Sequence, residues 1–138
     1  MDAHAKAELL TQVDFFKACT ESELAEIAEL TVERRLEAGD VLCAQGERGT
    51  DAFVLLDGAA SVHVNGSHVA EIGPGEVVGE LAVERGGVRS ATLLAMTPLH
   101  VLVVEPRGIK SVLAAHPGAA KHLGPRHPGD DFYPERRP

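Results

Sequence analysis

The chain has 138 residues, 44% of them apolar and 25% charged, with a formal net charge of −8. That length supplies one core but not two. With only 13 Lys and Arg, the acid excess argues against nucleic acid as the direct partner, because polyanion binding draws its free energy from basic side chains that displace counterions. No run approaches the roughly 20 apolar residues that cross a bilayer. The start, MDAHAKAELL, lacks the basic-then-apolar order of a secretory leader. Cys19 and Cys43 show no metal-type spacing, so a reducing, cytoplasmic setting is expected.

Residues 3 to 30 read as helical. Leu9, Leu10, Val13 and Phe16 recur at helical intervals, and Phe15 and Phe16 are expected in the core. Thr20-Glu21-Ser22-Glu23 is a capping box, in which the Thr20 hydroxyl accepts from the third amide and Glu23 reaches back. Leu24, Ile27 and Ala28 then form the apolar stripe of a second helix. Residues 1–37 hold nine acids against four bases, the pattern of solvated helix faces.

From Gly39 the pattern changes. Ten of the fourteen glycines lie between Gly39 and Gly87 and punctuate the short β-like runs VLCA, AFVLLD, SVHV and HVAEI, with LHVLVVE following. Asn65-Gly66, between the third and fourth, is a hairpin signal because both residues tolerate positive φ. Val62 and Val64 should face one side of their strand and His63 the other. Many short strands with frequent turns predict a mainly β fold with flanking helices, a double-stranded β-helix or jelly-roll barrel. PRGIKSVLAA then opens a helix at Pro106, and HPGAAKHLG adds a short turn. Six of the eight prolines lie from Pro106 onward, and GPRHPGDDFYPERRP is expected to be an extended, mobile tail. The expected layout is one domain over 1–123, with N-terminal helices at 1–37, the jelly roll at 38–105 and short C-terminal helices at 106–123. A Pro-rich tail occupies 124–138.

The stretch VVGELAVERGGVRSATLLA, residues 77–95, interrupts the strands. A break at Gly79 followed by a short helical turn would present the backbone amides of Leu81 and Ala82, and such amides attract anions. Arg89 offers charge-assisted, bidentate bonds to phosphate oxygens. Glu80 only accepts, which suits a hydroxyl. The implied ligand joins a compact anionic phosphate to a sugar hydroxyl.

GELAVERGGVRSAT resembles the phosphate-binding cassette of cyclic nucleotide-binding domains, of the type found in the catabolite activator and in protein kinase A regulatory subunits. That cassette reads approximately F-G-E-L-A-L-x-x-x-x-P-R-x-A-T. Gly79, Glu80, Leu81, Ala82, Arg89, Ala91 and Thr92 match it in place. The likeness extends over roughly residues 10–120, through FFKACTESELAEIAE, AGDVLCAQGE, AFVLLDGAASV and HVAEIGPGEVVGE. It implies that Glu80 takes the ribose 2′-hydroxyl and Arg89 the cyclic phosphate. The amides of Leu81 and Ala82, with Ser90, would complete the cradle, and Val62 and Val69 would wall the ribose and base. Gly79, Glu80, Leu81, Ala82, Arg89, Ser90, Ala91, Val62 and Val69 are therefore the expected ligand-binding residues. Val78 replaces the cassette aromatic and Val88 its proline, changes that reduce area and stiffness without removing a polar contact.

The family's long C-terminal helix usually closes over the base. Here that helix is expected to end early, leaving the base open or covered by Phe132 and Tyr133, and no DNA-reading, kinase, cyclase or channel segment follows it. His63 and His68 lie on opposite arms of the hairpin, but without His-x-His spacing or a nearby carboxylate a solvated face is expected rather than a metal site. No catalytic constellation is evident, and Cys43 reads as a small core residue. The expected function is a non-catalytic cyclic-nucleotide sensor with no cofactor and no metal, acting on an unknown effector protein. In the family a threonine directly after the arginine often accompanies cGMP preference; Ser90 stands there, offers the phosphate a hydroxyl but decides the base poorly, and cAMP is expected rather than cGMP. The alternative is a jelly-roll interaction scaffold that no longer binds nucleotide.

Overall fold

The structure is a computed structural model that describes residues 1–80 and 86–123. Helix α1 (Ala3–Leu10) starts at Asp2, whose carboxylate accepts from the Ala5 amide at 2.8 Å. The first helix, expected to run on through Val13 and Phe16, ends there. A single 3-10 turn, Asp14–Phe16, follows, and then α2 (Glu21–Ala28) with both bonds of the Thr20–Glu23 capping box. In that 3-10 turn Phe15 and Phe16 are both in the core, 1% exposed, with ring centroids 5.0 Å apart at a T-shaped angle.

The helical assignment of residues 31–37 is corrected: Thr31–Leu36 is a strand, β1. It lies at a sheet edge and pairs through its whole length with β8 (Leu99–Val104). Only its end residues, Thr31 and Leu36, are buried. Its charged, non-alternating middle is the composition edge strands tolerate, and it hides the period-2 signal.

The remaining strands are β2 (Val41–Cys43), β3 (Ala52–Asp57), β4 (Ala60–Val64), β5 (Ser67–Ile72), β6 (Val77–Val78) and β7 (Thr92–Ala95). They form two antiparallel four-stranded sheets, ordered β1-β8-β3-β6 and β2-β7-β4-β5. The fold is thus mainly β with flanking helices, and the described strands make two separate sheets rather than one closed barrel. Asn65 and Gly66 turn the β4–β5 hairpin with φ of 53° and 82°, as their sequence signal required.

Alternation along β3 and β8 divides the core. Ala52, Val54, Leu102 and Val104 face the helices and pack with Phe15, Phe16 and Ile27. Phe53, Leu55, Leu99 and Val101 face the other way, between the sheets, against Val62, Val64 and Leu93. Being buried on both faces, these strands read as continuous apolar runs. Helix α3 (Pro106–Ala115) begins at Pro106 and places Ile109 and Val112 in the helical cluster, and a 3-10 turn follows at Pro117–His122.

Candidate functional site

Arg89 is held by its backbone before its side chain does anything. Its amide donates to the Glu47 carbonyl at 2.8 Å, and its carbonyl accepts from the Gly46 amide at 2.9 Å. Beside it, Arg48 and Val88 form a β-bridge. This pairing of residues 44–49 with 86–92 aims the side chain inward, where it is 6% exposed. Nη1 donates to the Gly79 carbonyl at 3.1 Å, and the guanidinium carbon lies 4.9 Å from the centre of the Phe53 ring.

Two glycines make room for that side chain. A Cβ on Gly49 would sit 3.1 Å from Nε and Nη2 of Arg89. Gly79 has φ of +89°, and a Cβ there would approach Nη1 and Phe53 Cδ2 to 3.0 Å and the Asp51 carbonyl to 3.1 Å. Glycine is therefore required at position 79 for both conformation and space.

Arg89 is the one charged side chain buried among the described residues, and none of their carboxylates, Glu80 included, forms an ion pair with it within 4.0 Å. Of the five N–H donors on its guanidinium, one is used in the Gly79 bond. A desolvated cation carrying a fork of further donors is suited to a compact anion.

The other expected residues divide into groups. Ser90 and Ala91, 7% and 5% exposed, follow Arg89 into the interior. Ala91 joins Val62 in the cluster between the sheets, and half-buried Val69 packs against it. Glu80, half-buried, lines a cavity of about 230 Å³ with Thr50, Ala52, Ile109, Lys110 and Leu113. It therefore touches the side of the molecule on which α3 lies. Leu81 and Ala82, and the tail aromatics Phe132 and Tyr133, lie outside the described residues.

Phe53 was not singled out in the sequence, where it looks like any strand aromatic. Its role depends on the register that sets it opposite Val78 across β3 and β6. Through that pairing an aromatic ring reaches the neighbourhood of the cassette from the adjacent strand, at the point where Val78 departs from the cassette pattern. Cys43 is buried next to this segment, its thiol within 3.8 Å of the Ala91 carbonyl. Burial pushes the thiol above its usual range, with the Arg89 charge pulling the other way; a core role follows rather than a nucleophilic one.

His63 and His68 do meet across the hairpin, ring centroids 5.1 Å apart. His63 Nε2 shares a hydrogen bond with the Ser61 hydroxyl at 2.8 Å. Contrary to expectation a carboxylate is near, since Glu71 lies 3.5 Å from His68. The two histidines nevertheless belong to no three-ligand cluster among the described residues.

Residues 33–116 match the family described as the cyclic nucleotide-binding domain, over well more than half the chain. The chain belongs to that family. A cyclic nucleotide-gated potassium channel of Mesorhizobium japonicum is 31% identical over 114 residues, covering 83% of this chain and 32% of the channel. A cGMP-dependent protein kinase of Caenorhabditis elegans is 28% identical over 109 residues, covering 79% of this chain and 14% of the kinase. The chain thus spans about a third or less of the length of the curated relatives it matches. In fold it is similar to the regulatory subunit of a cAMP-independent protein kinase A from Trypanosoma brucei, with a TM-score of 0.79 and 23% identity over 98% of this chain and 51% of that one. A mutant of that subunit has been solved bound to cAMP, with a TM-score of 0.78 and 22% identity over 97% and 52% of the two chains. Among the described residues no helix is long and apolar enough to cross a membrane.

Proposed function

We propose that this domain is a non-catalytic cyclic-nucleotide sensor with a jelly-roll-like frame, and that it prefers cAMP to cGMP. The observation that carries the reading is Arg89, a buried cation with no carboxylate among the described residues within ion-pair distance. In this reading Arg89 and Ser90 hold the cyclic phosphate together with the amides of Leu81 and Ala82. Gly79 keeps the guanidinium in line, and Glu80 accepts from the ribose 2′-hydroxyl. Val62, Val69 and Ala91 provide the apolar wall. The preference for cAMP rests on Ser90, which supplies a hydroxyl to the phosphate without the threonine associated with guanine.

Output follows from where Glu80 sits. It shares a cavity with Ile109, Lys110 and Leu113 of α3, so engagement of Glu80 by ligand changes what α3 packs against. A ligand that binds one arrangement of α3 better than another shifts the population between them, and an effector protein reads the shift.

The T. brucei neighbour is the regulatory subunit of a protein kinase A that is cAMP-independent, and a mutant of that subunit is bound to cAMP. An interaction scaffold is therefore the competing reading, and direct titration separates the two. Calorimetry with cAMP, cGMP and 5′-AMP should show saturable binding of the cyclic nucleotides, cAMP tighter, and none of 5′-AMP. Heats indistinguishable from dilution at millimolar cyclic nucleotide would establish the scaffold reading instead.

A further inference from the structure

Cys19, Glu23 and His116 stand far apart in sequence and converge in the fold. Cys19 immediately precedes the N-cap of α2, Glu23 is the third residue of that helix, and His116 is the C-cap of α3. All three are half-buried, and one ligand atom from each lies within 4.8 Å of the other two. Glu23 Oε1 accepts from His116 Nε2 at 2.8 Å and from the Thr20 amide at 2.8 Å.

We propose that these three side chains form a binding site for a divalent transition metal, zinc by its donor chemistry. A thiolate, an imidazole and a carboxylate make a borderline-soft set that suits zinc and is a poor match for calcium or magnesium, which take oxygen ligands. Tetrahedral bonds of about 2.0–2.3 Å place ligand atoms about 3.3–3.8 Å apart. Spacings of up to 4.8 Å close to that by about 1–1.5 Å of side-chain adjustment, while the His116–Glu23 pair at 2.8 Å opens by about 0.5 Å or more. Water takes the fourth position.

The surroundings fit a cation. His116 ends α3, where the helix dipole is negative. The Thr20 amide holds Oε1 of the Glu23 carboxylate, the kind of outer support that metal ligands use. A solvent-reaching cavity of about 520 Å³, bordered by Ala18, His116 and Pro117, gives an entry path. On binding, the Cys19 thiol releases its proton to solvent, and the His116 imidazole gives up its Nε2 proton, breaks its bond to Glu23 Oε1 and stays neutral as the Nδ1–H tautomer; sulfur–, nitrogen– and oxygen–metal bonds form with no change of oxidation state. The metal clips the start of α2 to the end of α3 and so stiffens the helical flank of the domain.

The test is titration of the metal-free full chain with Co²⁺ under a non-thiol reductant. The expected result is one equivalent bound, with a thiolate-to-cobalt charge-transfer band in the near ultraviolet and visible bands of tetrahedral strength, all bleached by Zn²⁺. Cys19→Ser should abolish the charge-transfer band, while Cys43→Ser keeps it. Glu23→Gln, which preserves the capping box, and His116→Gln should each weaken binding about tenfold or more. Zn²⁺ should also raise the unfolding temperature of the unaltered chain, reversibly with chelator, a readout that survives if a variant fails to fold. Absence of a charge-transfer band at millimolar Co²⁺, or its persistence in folded Cys19→Ser, overturns the proposal.

Discussion

Two regions of this domain treat charge in opposite ways. At the edge formed by β1 and β8, Glu33 is half-buried and fully attended: His100 hydrogen-bonds it, Arg35 stands 3.5 Å away and the N-terminal amine 3.6 Å. At the cassette Arg89 is more deeply buried, yet among the described residues its guanidinium meets a backbone carbonyl and the face of a phenyl ring. Desolvating a charge costs several kcal/mol unless an opposite charge offsets it. The edge meets that condition with its own residues. The cassette, among the described residues, does not, as the proposed anion site requires.

The contrast is broken most severely at Arg89. Arg89→Ala removes charge-assisted phosphate bonds of about 1.5–3 kcal/mol, so cyclic-nucleotide affinity by calorimetry should fall about 10- to 150-fold. Next is Gly79→Ala, which forces a side chain into φ of +89° and against Arg89, Phe53 and the Asp51 carbonyl. It should lower unfolding stability by about 1–3 kcal/mol in urea titration and weaken nucleotide binding with it. An unchanged urea midpoint would show that the cassette relaxes freely. Glu80→Ala should cost about 1 kcal/mol of affinity for ribonucleotides and leave 2′-deoxy analogues almost unaffected; equal losses for both classes would remove Glu80 from the 2′-hydroxyl.

The smallest effect sharpens the other side of the comparison. Hydrogen bonding by His100 holds the Glu33 carboxyl below its ordinary value of 4.5, against partial desolvation and with help from the N-terminal amine, His100 and Arg35. Because the folded-state value is depressed, the stabilisation is fully present above pH 4.5 and is lost as pH falls through the lowered value. Urea midpoints followed downward from about pH 6 should therefore decline less steeply in Glu33→Gln than in the unaltered chain. Parallel profiles would mean that Glu33 contributes nothing to acid lability.

What was legible in the sequence was mostly local. The capping box at Thr20, the Asn65-Gly66 hairpin and the Pro106 helix start are encoded within a few residues and occur where expected. The family resemblance also could be read from one continuous stretch, residues 79–92. The errors arose where long-range pairing decides. β1 is a strand because β8 runs beside it, and its own charged middle does not announce this. The first helix stops at Leu10, and a 3-10 turn carries the neighbouring Phe15 and Phe16, both of which are in the core. Phe53 reaches Arg89 through strand register, and the Cys19–Glu23–His116 cluster joins the two ends of the described chain, which no spacing rule connects.

The central claim is that Arg89 is kept for an anion rather than for the fold. Unfolding free energies of the unaltered chain and of Arg89→Met, each with and without cAMP, test it most directly. Without nucleotide the methionine variant should be at least as stable, having lost a buried charge that no carboxylate of the described residues pairs with. With cAMP at 100 times its dissociation constant, the unaltered chain should gain about 2.7 kcal/mol and the variant nothing. A variant markedly less stable without nucleotide, beside an unaltered chain that gains nothing from cAMP or cGMP, would contradict the account and make Arg89 a structural residue.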